Sequence, residues 1–452
     1  MKSILSTLGL IVVAATLSAC SRGSNPLGSA AEAAEARPRP ATAGFDSQID
    51  ANSARLLAEG RRIFRYDTFG SEAFWGDSLK LHEAIAGEKN GGVGPGVSPK
   101  TALQLGLKVD AAALPPAVVA AIKAGKVNLD DPATTLVLLK ANAVLGVSGV
   151  FDRSGRMTSM GITCAFCHST VDNSFAPGIG KRLDGWPNRD LNVGAIVSAA
   201  PNLKPLSDYL GVDKAILLKV LASWGPGRYD AEVNQDLKAA RPDGKSAATL
   251  IPAAFGLAGQ NLHTYNGWGS VPYWNAYVAI TQMHGQGVFF DPRLDDAKKF
   301  PLAARHQAGH LNPVSDHVTA KLAALQFYQL AIPAPTPPAG SFDRAAAHRG
   351  QAIFDGKAKC ASCHVPPLFS EPGWPMHTAA EIGIDDFQAG RSPDDRYRTT
   401  PLRGLFARAK GGYYHDGRFG DLNAVVDHYN STRHLQLSAQ EQADLVQYLK
   451  SL

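Results

Sequence analysis

One short motif, present twice, constrains this chain more than any other feature: Cys164-Ala165-Phe166-Cys167-His168 and Cys360-Ala361-Ser362-Cys363-His364. Two thiols so spaced can add across both vinyl groups of one porphyrin, and the adjacent His then reaches the iron as proximal ligand. Each motif is therefore expected to hold a covalently attached haem c, two per chain, with His168 on the first iron and His364 on the second. Of the five cysteines, only Cys20 lies outside the motifs, so no pair is left for a disulfide. A zinc site drawn from both pairs would leave each following His unexplained. A thioredoxin-like redox pair would give no reason for a second copy bearing the same His.

The N-terminus reads as an export signal. Lys2 precedes an apolar run from Ile4 to Leu17 that is too short for a stable membrane span. The run ends in Leu17-Ser18-Ala19-Cys20, which resembles the lipobox of bacterial lipoproteins. That resemblance implies a signal peptide over residues 1–19, a lipidated Cys20 and, with Ser21 following, outer-membrane sorting. Residues 20–45, rich in Ala, Pro, Glu and Arg, are expected to form a flexible tether. The protein would then face the periplasm on a lipid anchor. The formal charge of +5 is spread along the chain rather than clustered, which speaks against a nucleic-acid binder.

Beyond the leader, the periodicity is helical. Asp343 to Asp355 places Ala346, Ala347, Gly350, Ile353 and Phe354 on one side and runs into Cys360. Ser438-Ala439-Gln440-Glu441 is a capping box that opens a terminal helix with a stripe of Leu445, Val446 and Leu449. Ser53 to Phe64 mimics the helix before Cys360. About a hundred residues then precede Cys164, with helical pieces near Leu79–Ala86, Pro116–Ala124 and Pro132–Leu145. The expected fold class is all-α: two cytochrome c-type haem domains, the first (46–332) carrying a large helical and loop insertion. A Pro-rich linker (333–341) separates it from the second (342–452). A faint repeat supports duplication: Pro252 to Tyr265 and Pro401 to Tyr414 share one spacing, Asn266-Gly267 and Asp416-Gly417 follow, and Asn275-Ala276 and Asn423-Ala424 open helical stretches.

The C-terminal segments Thr400-Pro401-Leu402-Arg403-Gly404-Leu405, Tyr414-His415-Asp416-Gly417-Arg418-Phe419 and Leu422 to Tyr429 resemble bacterial di-haem cytochrome c peroxidases and MauG-like enzymes. The resemblance is good from about Ala345 to Leu452 and thin before it. It implies two facing cytochrome c domains, with peroxide bound at the N-terminal haem and electrons passed by the C-terminal one. It also implies a distal ligand on the second haem, Met in the peroxidases and Tyr in MauG-like members. Tyr429 stands at the matching position, and Met376 is the alternative, with His428, His415 and His377 behind it. A phenolate favours ferric iron and lowers the potential relative to thioether.

For the first haem the resemblance implies a distal Gln and Glu, yet no glutamate lies between Glu232 and Glu371. His263, His284, Gln282 and Asn275 are the distal-side candidates, and Met283 is a possible sixth ligand. Trp186, Trp224, Trp268, Trp274 and Trp374 could assist electron transfer. Arg182, Arg189 and Arg228 could pair with haem propionates. For all of these, packing or structural ion pairs are the bland alternative.

The expected function is a di-haem redox enzyme of peroxidase or MauG type. The first haem would activate peroxide or a similar small oxidant, and the second would exchange electrons with a small cytochrome c, a cupredoxin or an organic substrate. The opposing expectation is a non-catalytic di-haem electron-transfer lipoprotein, and a smaller one is a di-haem oxygenase of the same superfamily.

Overall fold

The computed structural model describes residues 44–452, within which one compact unit runs from Asn52 to Leu452. Cys20, the leader and the tether as far as residue 43 lie outside the described residues. No described helix is long and apolar enough to cross a membrane.

Two glycine-mediated helix crossings organise the molecule. In the C-terminal half, Asp343 caps the helix Arg344–Asp355 by accepting from the Ala346 amide, and the Ser438–Glu441 capping box opens the helix Ala439–Lys450 as expected. These helices cross where Gly350 meets the backbone of Asp444; a Cβ added there would lie 2.1 Å from the Asp444 carbonyl oxygen. One turn on, Phe354 packs edge-to-face on Tyr448 with centroids 5.2 Å apart. The same device appears between the helices Phe45–Tyr66 and Leu322–Ala331. Gly60 abuts the Ala324 carbonyl at 2.0 Å from its virtual Cβ, and Phe64 packs on Tyr328 at 5.6 Å. Gly350→Ala should therefore wedge its crossing apart, costing about 1–3 kcal/mol by overpacking. Thermal unfolding of the purified protein would register this as a lowered midpoint.

The apolar core of the described residues falls into a large cluster from Ile63 to Ile332, a smaller one from Phe354 to Leu452, and a minor one of Ala379, Ala389 and Tyr397. The first two include motif cysteines at their edges: Cys164 and Cys167 in the first, Cys360 in the second.

The all-α expectation is overturned. Among the described residues are five two-stranded sheets, and helices make up about 43% of the structure. The longest sheet is the hairpin Val147–Phe151 with Met157–Ile162, placed directly before Cys164. Ser169–Val171 pairs with Arg182–Asp184 directly after His168. Val109–Asp110 pairs with Ile179–Gly180, Arg228–Tyr229 with Thr249–Leu250, and Phe289–Phe290 with His310–Leu311. The physical reason is backbone satisfaction: much of this half is buried yet non-helical, so its N–H and C=O groups pair across short ladders. The third expected helix of the insertion also stops early, at Lys140 rather than Leu145, because Asn142 adopts a left-handed turn (φ 51°) that sends the chain into the hairpin.

The internal repeat is real but shifted. His263 bridges Gly269 and Tyr413 bridges Phe419, closing two loops of equal length. Thr264 and Tyr414 take matching left-handed conformations (φ 66° and 68°), as do Gly267 and Gly417 (59° and 70°). The equivalent of Tyr265 is thus His415, not Tyr414. Matched carbonyls reach across the molecule: Tyr265 O accepts from Arg398 N at 2.9 Å and His415 O accepts from Leu250 N at 2.7 Å. The helices that follow, Val271–Thr281 and Leu422–Thr432, are capped by Ser270 and Asp421. Asn275 and Asn423 therefore sit at different helical positions, and their resemblance is a coincidence of sequence.

Candidate haem sites

The first motif is a single helical turn, Ala165–His168, wedged between the two antiparallel ladders. Its backbone is anchored from outside: Asn188 N donates to Cys167 O and Gly185 N to His168 O, both at 2.8 Å. The His168 ring places Nδ1 3.1 Å from the Pro252 carbonyl oxygen. A carbonyl only accepts, so Nδ1 carries the hydrogen and Nε2 keeps its lone pair for a metal. His364 repeats the arrangement, with Nδ1 3.1 Å from Phe369 O. Burial pushes His168 down to about 4 and lowers His364 as well, so both imidazoles are neutral at physiological pH.

The thiols are held in their neutral form by burial. Burial pushes Cys164 and Cys167 up to about 12 and Cys360 up to about 11. A tight group of Cys363, Glu371 and His377 has its donor atoms within 4.8 Å of one another. There His377 Nε2 bonds Glu371 at 2.7 Å, and Thr399 donates to the same carboxylate oxygen.

Around the second motif lies a cavity of about 450 Å³, within the range of cofactor sites. Cys360, Cys363 and His364 form one wall, and Leu402, Leu405, Val426 and Leu449 give it an apolar lining. Three arginines also line it without a carboxylate partner, Arg189 buried and Arg398 and Arg408 half-buried. Arg398 donates to Thr264 O and to Gln260 Oε1; Arg408 donates to the carbonyls of Pro401 and Arg403; Arg189 donates to Lys410 O at 3.3 Å. Burial lowers all three, Arg398 to about 9 and Arg408 to about 10. Nε of both Arg189 and Arg408 is buried without any partner. Guanidinium groups so placed suit an anionic ligand that reaches them from the cavity, which the propionates of a porphyrin provide. The residues therefore fit a haem c.

The arginines named from sequence divide accordingly. Arg182 is spent on Asp110 at 3.2 Å, and Arg228 on the Asp416 carbonyl at 2.7 Å. Arg189 alone joins the cavity, and Arg398 and Arg408 escaped the sequence reading because an isolated arginine carries no local signal.

Tyr429 lines the cavity, its phenol raised by burial, and the buried Tyr414 hydroxyl beside it interacts with it. Met376 is not part of the lining. Its sulfur covers Gly267, 2.6 Å from where a Cβ would stand. His415 and His377 also line the cavity, whereas His428 Nε2 is taken by Ile382 O at 2.8 Å.

The distal candidates of the first site each have their own partners. His284 stacks on Phe74 with centroids 3.6 Å apart, in a left-handed conformation (φ 57°), beside Met283, whose carbonyl accepts from Trp75 Nε1 at 2.9 Å. Gln282 caps the helix Val271–Thr281. Asn275 Nδ2 donates to Gln329 Oε1 at 2.7 Å on another helix. His263 bonds Gln260 O at 3.1 Å, leaves Nδ1 buried and unpartnered, and is held near pKa 4 by burial and then by Arg398. Of the tryptophans, Trp186 packs edge-on to Phe406 at 5.6 Å, Trp224 packs on Tyr229 at 5.1 Å, and Trp268 and Trp274 share an aromatic cluster at 5.8 Å. Trp374 is exposed.

No protein-family model matches the chain. It is 30% identical over 218 residues to the methylamine utilization protein MauG of Methylorubrum extorquens, covering 41% of this chain and 61% of that one. It is 27% identical over 149 residues to the cytochrome-c peroxidase IdrP1 of a Pseudomonas species, covering 23% and 39%. The chain thus spans less than two-thirds of the length of either relative. A solved MauG-like protein associated with microbial copper homeostasis matches 47% of this chain and 76% of its own, at 22% identity and a TM-score of 0.31. The similarity to MauG and cytochrome-c peroxidases implies haem c as cofactor and supports a place for this chain in the di-haem peroxidase and MauG superfamily.

Proposed function

We propose that the protein is a di-haem c-type enzyme that reduces peroxide, or a similar small oxidant, at the expense of an external electron donor. One haem would be attached at Cys164 and Cys167 with His168 as axial ligand, the other at Cys360 and Cys363 with His364. The observation that carries the reading is the duplicated imidazole: two neutral rings, each fixed through Nδ1 to a backbone carbonyl beside a pair of partly buried cysteines. When bound, the haems supply one-electron redox chemistry and an iron site for the oxidant.

The chain's own residues orient and screen that chemistry. Pro252 and Phe369 hold the proximal rings. Arg189, Arg398 and Arg408 would bind propionates, and Tyr429 would stand on the distal side of the second haem in preference to Met376, which is already packed on Gly267. His263, His284, Gln282 and Asn275 stay the distal candidates of the first haem. The donor would be a small cytochrome c or a cupredoxin. We place the protein on a lipid anchor at Cys20, facing the periplasm from the outer membrane.

The non-catalytic electron carrier draws support from Asn275, which is committed to Gln329, and from the absence of any glutamate between Glu232 and Glu371. Peroxide-driven oxidation of a reduced small cytochrome or cupredoxin separates the two readings. The enzyme oxidises the donor with peroxide consumed in proportion; a carrier exchanges electrons with the donor and leaves peroxide untouched. In the same preparation, Tyr429→Phe should change the ferric spectrum of the second haem, and Met376→Leu should leave it as it is.

A further inference from the structure

A second polar centre lies away from the cavity, where the two halves of the chain meet. The turn and short helix at 230–236 bury Asp230, Glu232, Gln235 and Asp236, and the C-terminal half contributes Gln388 and the fully buried Arg391. Arg391 is shared by two of the carboxylates: it meets Asp230 Oδ1 at 2.8 Å and Asp236 at 2.7 and 2.9 Å. Glu232 is left with a neutral donor, Gln388 Nε2 at 2.9 Å on Oε1.

What remains is a set of buried polar atoms with no partner: Glu232 Oε2, Asp230 Oδ2, both amide atoms of Gln235, Gln388 Oε1 and the Tyr277 hydroxyl. Natural interiors rarely leave so many unsatisfied groups together, and where they do the site commonly holds ordered water. The charge count points the same way. Three carboxylates face one guanidinium, so the interior is relieved if one of them keeps a proton. Glu232, the one without a cationic partner, is pushed up to about 7 by burial and by Asp230 and Asp236, against the pull of Arg391.

This centre adjoins the first motif. The ladder Arg228–Tyr229 with Thr249–Leu250 joins the two: one strand leads straight into Asp230, and two residues past Leu250 the Pro252 carbonyl holds the His168 ring, with the partly buried Tyr229 interacting with Cys167, Asp230 and Glu232. Tyr277, on the helix Val271–Thr281, lies near enough to Glu232 for the two to interact electrostatically. A charge added at the Cys164–His168 site is therefore felt at Glu232 through weakly screening protein.

We propose that Glu232 takes up and releases the proton that accompanies electron transfer at the Cys164–His168 site, passing it by way of Tyr277, Gln235 and ordered water. The inference rests on the reading of that site as a redox centre. Each electron delivered by the donor brings one proton from solvent onto Glu232, so the buried charge is unchanged. When peroxide is cleaved, two electrons and two protons convert it to two waters, and Glu232 hands on protons and is reloaded. Glu232 acts through neighbouring groups and touches no substrate.

The test is the pH dependence of the midpoint potential of the first haem in the purified holoprotein, for the parent, Glu232→Gln and Glu232→Asp. In the parent the potential should fall as pH rises through neutrality. Glu232→Gln, which mimics the protonated side chain without titrating, should flatten that dependence, and Glu232→Asp should restore it with a displaced midpoint. Redox-difference infrared spectra should show a protonated-carboxyl band that Glu232→Gln removes. Peroxide turnover by Glu232→Gln near neutral pH should fall on the order of tenfold. An unchanged pH dependence in Glu232→Gln, or a parent potential that ignores pH, overturns the inference. A parent that turns over no peroxide, but whose pH dependence is lost in Glu232→Gln, overturns the proposed enzyme and leaves this inference standing.

Discussion

Arg391→Met is expected to destabilise the protein by about 3–5 kcal/mol at neutral pH, because it removes the single cation from a buried group of three carboxylates. The arginine is fully buried and its own protonated form is strongly favoured by Asp230, Asp236 and Glu232, so nothing in solvent can replace it. The sign with pH follows from the carboxyls. Asp230 is raised to about 6 and Glu232 to about 7, so the folded chain holds protons that the unfolded chain releases. Stability from these groups is fully present below the ordinary carboxylate range and is lost as pH rises through 6 to 7. Without Arg391 the burden at high pH grows, and acidification to about pH 5 should recover part of the loss. Denaturant unfolding of parent and variant across that range checks both the magnitude and the slope. A variant as stable as the parent at pH 8, or one destabilised further by mild acid, would contradict the cluster as described.

Replacing Cys360 and Cys363 together by alanine should remove one covalent haem, reducing the denaturation-resistant haem content from two per chain to one. The loss should extend beyond the cofactor. Arg189, Arg398 and Arg408 would face the cavity with neither propionates nor carboxylates to meet them, and buried unpaired charge is costly. The variant should therefore unfold at lower denaturant than a chain missing only Tyr429 or Met376. Haem quantification after denaturation, together with an unfolding curve, reads both effects. Two haems retained, or one haem with undiminished stability, would refute the assignment of these arginines.

Much of this was legible in the sequence because it rests on local rules. The motif fixes the spacing of two thiols and an imidazole, and Asp343 and Ser438 each announce a helix start at a distance the capping geometry dictates. Tyr429 was reachable by counting along one helix. The hairpin Val147–Phe151 with Met157–Ile162 was missed, though Asp152-Arg153-Ser154-Gly155 is a turn between two apolar runs. In a chain read as helical throughout, short ladders look like loops. The repeat was found but misregistered by one residue, since the sequence offers Tyr265 and Tyr414 as a match while the backbone pairs Tyr265 with His415. Arg391, Glu232 and Gln388 left no trace at all, because the cluster exists only once segments some 155 residues apart come together.

The most direct measurement of the central claim is low-temperature electron paramagnetic resonance of the holoprotein, fully oxidised and again after addition of one electron. The account predicts a high-spin ferric signal in at least one of the two states, the mark of an iron site that an oxidant can enter. Low-spin signals alone in both states would mean two closed haems, and the protein would then be an electron carrier.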